Sequence, residues 1–173
     1  MSAQKVILIG PMGAGKTTLG TLISAELGWP YFDNDGELAS LNDLTVEQLS
    51  ALSVPELHAL EGEYLQHVMQ RPAPFIAGAA ASVIDYPESV KLLREATSIY
   101  LRLPLEKLLE RAGSTGIGRQ ALAENAQSVI TERFMRRDPH YREVASYTCE
   151  LGDDPQIDAA KIIEWLKLQT QIG

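Results

Sequence analysis

Cysteine is nearly absent. Cys149 is the sole one, which rules out an internal disulfide and predicts a reducing, cytoplasmic setting. Long apolar runs are also missing: none approaches the ~20 residues that a membrane helix needs. Val6 to Ile9 is too short for the core of a signal peptide, so no membrane partner is expected. Positive charge is in the minority, with 15 Lys and Arg against 23 Asp and Glu and a formal net charge of -8. Such a chain repels polyanions, so nucleic acid is not an expected partner. Histidine is scarce too. His58 and His67 do not have the i, i+4 spacing of a helical metal site, and no cysteine lies near them, so no metal site built of protein groups alone is expected. Trp29 and Trp165 are expected to serve packing, and Cys149 is expected to be a small buried core residue.

The 173 residues, 45% hydrophobic and 22% charged, suit one globular domain spanning 1–173. Short β-branched or aromatic runs alternate with helical patterns. Strands are predicted at Lys5 to Ile9, from Tyr31 into Asp33-Asn34-Asp35-Gly36, at Phe75 to Ala77, at Ser98 to Leu103 and at Tyr147 to Leu151. Between them the pattern predicts helices over 16–27, 46–52, 55–69, 88–96, 104–111, 120–136 and 157–168. Gly113 to Gly118 is rich in glycine and small polar residues and reads as a mobile loop. Strands alternating with helices predict an α/β fold, a parallel sheet covered on both faces. The few cations are unevenly placed. Arg133, Arg136, Arg137 and Arg142 crowd together, which predicts a local pocket for an anionic ligand in an otherwise acidic protein.

The N-terminal region carries the most specific signal. Gly10, Gly15, Lys16 and Thr17 satisfy G-x-x-x-x-G-K-[ST], placed after a predicted strand and opening a predicted helix. Glycines let the backbone aim N–H groups at phosphate oxygens. Lys16 can offset charge on the β- and γ-phosphates, Thr17 can offer a hydroxyl to Mg²⁺, and the helix presents its positive end to the anion. Gly13, Ala14, Gly15, Lys16, Thr17 and Thr18 are therefore the candidate nucleotide-binding residues. No Asn-Lys-x-Asp motif is present to read guanine, and the chain is too short for a motor. A small-molecule kinase using Mg-ATP is the expected class.

Over nearly the whole chain the sequence resembles shikimate kinase. The resemblance rests on the phosphate loop from Gly10 to Gly20, on Phe32-Asp33-Asn34-Asp35, on Glu61-Gly62-Glu63, and on Arg137-Asp138-Pro139-His140-Tyr141. It implies a three-layer αβα fold of the nucleoside monophosphate kinase type, with a five-stranded parallel sheet. It also implies a substrate subdomain at about 34–70, a lid at about 112–123, and a monomer. Asp33 would help hold Mg²⁺ with Thr17. Asp35 would bind the acceptor hydroxyl and take its proton. Arg137 would hold a substrate carboxylate by a two-pronged pair. Arg119 would close over the phosphates, and Arg111 and Pro155 would flank adenine. Lys16, Asp35 and Arg119 are thus the expected catalytic residues, with ATP and a small hydroxylated acid as partners.

Departures from the family pattern cluster on the acceptor side. His67 is expected to stand where the family has an arginine, at the cost of a bidentate contact. Ala79, Ala80 and Ala81 replace consecutive glycines, adding methyl groups where backbone meets substrate. Gln120 follows Arg119 where proline is usual, and the stretch around Leu41 to Leu52 is longer than usual. Shikimate or a related polyhydroxy carboxylate is the expected acceptor. The alternatives are a kinase for another hydroxylated metabolite and an ATP-binding regulatory protein without transfer activity.

Overall fold

In Lys5–Ile9 (β1), side chains alternate between the two faces of a sheet: Val6 and Leu8 join one core cluster, Ile7 and Ile9 the other, and all are fully buried. A strand buried on both faces belongs at the centre of a covered sheet. The computed structural model describes residues 4–115 and 126–171, and there β1 is the middle strand. Around it lie Tyr31–Asp33 (β2), Phe75–Gly78 (β3), Thr97–Arg102 (β4) and Tyr147–Glu150 (β5). The sheet order is β2-β3-β1-β4-β5 and every pairing is parallel. This is the expected three-layer fold. β1 pairs with β3 from Lys5↔Phe75 to Leu8↔Gly78, so the strands end together and their following loops share one edge.

On one face, Lys16–Leu27 (α1) and Pro155–Gln171 (α8) bury Leu19, Ile23, Ile162 and Leu166 against Val6, Leu8, Ile76, Ile99, Leu101 and Cys149. On the other, Val54–Met69 (α4), Pro87–Glu95 (α5) and Ala126–Val144 (α7) cover Ile7, Ile9, Phe75 and Tyr100. Each fully buried Leu or Ile contributes about 1.5–3 kcal/mol relative to exposure. Burial also pushes the Cys149 thiol up to about 11, so it is an inert core residue rather than a nucleophile. Trp165 stacks on Tyr147 at 5.1 Å. No helix among the described residues is long and apolar enough to cross a membrane.

Three elements differ from expectation. First, the polar stretch after β2 is a helix, Asn34–Leu41 (α2), not a strand end and turn. Asp33 caps it, its carboxylate accepting the Asp35 N–H at 3.3 Å. Second, Gly113, Ser114 and Thr115 continue the helix Leu105–Thr115 (α6) rather than belonging to a loop. The rest of that expected loop, and most of the expected lid, lies outside the described residues. Third, α7 continues through Pro139 to Val144 instead of stopping near Arg136. A proline inside a helix removes a hydrogen bond, but tertiary contacts offset the loss. Tyr141 Oη donates to the Ala81 carbonyl at 2.6 Å, and the Asp138 carboxylate accepts from Tyr100 Oη at 2.7 Å and Arg102 Nε at 2.9 Å.

The excursion after β2 is fastened at both ends. Val46–Ser50 (α3) and α4 each open with a reciprocal capping box, Thr45 with Gln48 and Ser53 with Glu56; such a cap contributes about 0.5–2 kcal/mol. Glu37 of α2 accepts from Arg71 at 2.7 Å and from Tyr64 Oη at 3.1 Å, while the Arg71 guanidinium lies 3.9 Å from the Phe32 ring centroid.

At Gly20 a Cβ would overlap the Tyr31 ring, which is wedged between α1 and β3 with its hydroxyl donating to the Lys16 carbonyl at 3.3 Å. Gly20→Ala is therefore expected to destabilise the fold by about 1–3 kcal/mol. Urea titration of the variant checks this, and an unchanged midpoint would show that Tyr31 can move aside freely.

Candidate active site

Between Ile9 and α1 the chain must reverse tightly, and Gly13 and Gly15 do so with φ of 82° and 97°, values that residues with a Cβ rarely adopt. A Cβ on Gly15 would meet nothing within 4 Å, so glycine is required there for conformation, and the space beside it stays open. Lys16 folds over the loop and donates to the carbonyls of Gly10 at 2.6 Å and Pro11 at 3.0 Å. Burial lowers its pKa to about 8, against the opposing pull of Asp35, Asp33 and Glu61. The loop thus holds a lysine that gains from an anion placed next to it. Thr17 Oγ1 donates to Asp33 Oδ2 at 2.8 Å. These are two hard oxygen donors beside the phosphate loop, a set that suits Mg²⁺. Among the described residues no group of three or more His, Cys, Asp or Glu could hold a metal unaided, so Thr17 and Asp33 would leave most of a Mg²⁺ shell to phosphate oxygens and water.

Two cavities flank the loop. One, of about 250 Å³, is lined by Ala14, Gly15, Thr18, Arg111, Gly152 and Pro155. Arg111 Nη1 donates to the Gly13 carbonyl at 2.7 Å, which braces the loop from α6. The turn before α8 is held by Asp158, which is 3% exposed and whose oxygens accept the Gly152 N–H at 3.0 and 3.1 Å. Arg111 and Pro155, far apart in the sequence, are thus brought to one pocket next to the phosphate loop.

The other cavity, of about 580 Å³, opens on the far side of Lys16 and Thr17. Asp35 enters it from α2, His58 and Glu61 from α4, Ala80, Ala81 and Ser82 from the turn after β3, and Arg133 and Arg137 from α7. Glu61 accepts from Ser82 Oγ at 3.0 Å, and burial, with Asp35 nearby, raises its pKa. His58 Nδ1 lies 2.7 Å from Tyr86 Oη. Burial lowers its pKa, as do Arg137, Arg133 and Arg136, so it is neutral near pH 7. Arg137 is 7% exposed, and its guanidinium forks onto Asp85, Nη2 to Oδ2 at 2.6 Å and Nε at 3.1 and 3.2 Å.

The profile of the shikimate kinase family matches residues 12–167. The chain belongs to the shikimate kinase family. It is 29% identical to the shikimate kinase of Methylococcus capsulatus over 169 residues, covering 92% of this chain and 90% of that one. Against the shikimate kinase of a Psychrobacter species it is 31% identical over 172 residues, covering 94% and 91%. Among solved structures it resembles the shikimate kinase from Acinetobacter baumannii in complex with shikimate, with a TM-score of 0.87, 27% identity and coverage of 97% and 95%.

Against the shikimate kinase pattern several expectations need correction. His67 does not reach the cleft. It is exposed on α4, six residues from Glu61 and so turned about 240° around the helix axis. It faces Glu37 instead, whose pKa it helps lower, after Arg71 and Tyr64. The α4 histidine that does reach the cleft is His58. Its spacing from Glu61, with Val54 and Leu57 on the same face, was the available signal; the Glu61-Gly62-Glu63 match put the helix in the wrong phase. Ala79 is also outside the cleft, packed in the core with its N–H donating to the Leu8 carbonyl at 3.1 Å. Ala80 and Ala81 do line it. None of the three alanines has positive φ, so they cause no backbone strain, and their methyl groups only narrow the cavity. Arg137 is at the cleft, but its fork is already engaged by Asp85, whose importance no sequence motif signalled. Arg119 lies outside the described residues.

Because a triphosphate favours charged Lys16, ATP affinity is expected to be full below pH 8 and to weaken above it, by up to about tenfold per unit. Isothermal titration between pH 7 and 9.5 checks this. Lys16→Met should bind more weakly and lose the slope, whereas a flat wild-type profile would mean that Lys16 does not sense the nucleotide.

Proposed function

We propose that this protein transfers the γ-phosphoryl group of ATP to a hydroxyl of shikimate. The observation that carries this is the cleft itself: Lys16 and Thr17 of the phosphate loop, Asp35 of α2 and the α7 arginines line one cavity, adjoining a second pocket fit for adenine. Family membership supports it, as does the likeness to a shikimate-bound relative. The alternative acceptors and the purely regulatory role find no such support.

Lys16 and the N-terminus of α1 hold the phosphates and offset their charge. Thr17 and Asp33 would hold Mg²⁺, which when bound adds positive charge at the β- and γ-phosphates. Asp35 accepts a hydrogen bond from the acceptor hydroxyl and takes its proton as the oxygen–phosphorus bond forms and the bond to the ADP oxygen breaks. Asn34 Nδ2 donates to Asp35 Oδ1 at 3.2 Å and helps aim the carboxylate. The acceptor's carboxylate points to the cationic wall formed by α7. Ala80 and Ala81 limit the room for the ring. The family resemblance further suggests a cytoplasmic monomer in which Arg119 closes over the phosphates.

A coupled ADP-release assay with Mg-ATP, with and without shikimate, tests the assignment; no shikimate-dependent release from a protein that binds ATP would sink it. Lys16→Ala should abolish turnover. Asp35→Asn should leave ATP affinity intact and lower kcat by about 10²–10⁴, and an unchanged kcat would remove Asp35 from the proton transfer.

A further inference from the structure

Met12 of the phosphate loop lines the acceptor cleft and also a second, mainly apolar cavity of about 50 Å³ bounded by Tyr100, Leu108 and Phe134. Ala81, Arg133 and Arg137 line both spaces with it. Met12 is 56% exposed, so reagents in solution can reach its side chain. Met135 is 66% exposed but borders neither cavity, and Met69 is buried at 9%. Cys149 is fully buried in the core. Among the described residues, Met12 is thus the exposed sulfur at the cleft. The two arginines that share its surroundings differ. Arg137 is forked onto Asp85, with Nη2 at 2.6 Å from Oδ2. Arg133 is half-buried and makes no hydrogen bond or ion pair among the described residues.

We infer that Met12 is an oxidation-sensitive latch, whose sulfoxide joins the phosphate loop to Arg133 and shuts the acceptor out of the cleft. Hydrogen peroxide supplies the oxygen. Its O–O bond breaks and one oxygen bonds to Met12 Sδ. The proton on that oxygen passes to the departing one, which leaves as water. Sulfur is oxidised by two electrons and the peroxide is reduced. Before the step the side chain is flexible and apolar and suits the cavity beside it. Afterwards it carries a strong acceptor oxygen, which is costly to hold against apolar walls without a donor. The Arg133 guanidinium is a donor facing the same two spaces. Their bond spans the room between the loop and α7. Sulfoxide reductases reverse the oxidation, so the latch can reopen. The effect on catalysis rests on the acceptor binding between the loop and α7, as proposed above.

The test treats the protein with hydrogen peroxide, locates the added oxygen by peptide mass spectrometry, and follows shikimate by both turnover and calorimetry. Oxygen at Met12 should raise the KM and Kd for shikimate about 10- to 100-fold, the scale of a hydrogen bond to a charged group. The KM for ATP should change less. Treatment with methionine sulfoxide reductases should restore the original values. Each variant is compared with its own untreated values. Met12→Leu should keep its shikimate affinity through the same exposure, while Met135→Leu should lose affinity as the wild type does. In Arg133→Leu the rise should shrink to about threefold or less, because the donor is gone. Full oxidation of Met12 with unchanged shikimate affinity would overturn the inference. So would an equal loss in Met12→Leu, or a rise that persists in full in Arg133→Leu. Calorimetry needs no turnover, so the two readings separate. Shikimate binding that weakens on oxidation, in a protein that releases no ADP, would remove the transfer reading alone. Shikimate turnover indifferent to oxygen at Met12 would remove this inference alone, and no shikimate binding by the untreated protein would overturn both.

Discussion

Burial of β1 between β3 and β4 is the constraint on which the site depends. Its side chains alternate into two separate cores, so a one-residue slip would exchange every contact on both faces. That register ends β1 and β3 at a common edge, where the phosphate loop and the turn around Ala80 face each other. Ligands of open parallel α/β sheets bind beyond the carboxyl ends of the strands for this reason. The positive φ of Gly13 and Gly15 is a local feature, but the loop they shape lies at the cleft only because the strand beneath it cannot shift.

The acceptor side depends on a second, more polar set of contacts. α7 crosses the sheet with a proline inside it and is anchored by Tyr141 on the Ala81 carbonyl and by Asp138 on Tyr100 and Arg102. Tyr100 and Tyr141 stack with centroids 4.8 Å apart. These groups fix the height of Arg133 and Arg137 above the cleft. The Arg137–Asp85 fork then ties α7 to the turn after β3, so this part of the cleft wall is held by an ion pair within the protein. A preorganised wall spares the entropy of ordering long side chains during binding.

The phosphate loop was legible from local order alone, since a motif contiguous in sequence stays contiguous in space. Arg111 and Pro155 could be paired only through the family resemblance, because only the fold brings α6 and the start of α8 to one pocket beside the loop. His67 shows the limit of pattern matching along a helix. A match displaced by a few residues rotates the side chain to another face, and only the packing of Leu65 and Val68 into the core sets the true phase. The three alanines looked costly in sequence, yet their backbone conformation is ordinary, which no residue type reveals by itself.

By itself the sequence determined the layers, the order of the five strands and the position of the phosphate loop, because hydrophobic periodicity and a contiguous glycine-rich motif act over short distances. Tertiary structure decided which of the residues expected on the acceptor side reach the cleft. That Arg136 and Arg137 are held by an acid at the cleft depends on Asp85, some fifty residues away from Arg137 along the chain. Charges pair through space rather than along the sequence, so their balance emerges only once the chain has folded.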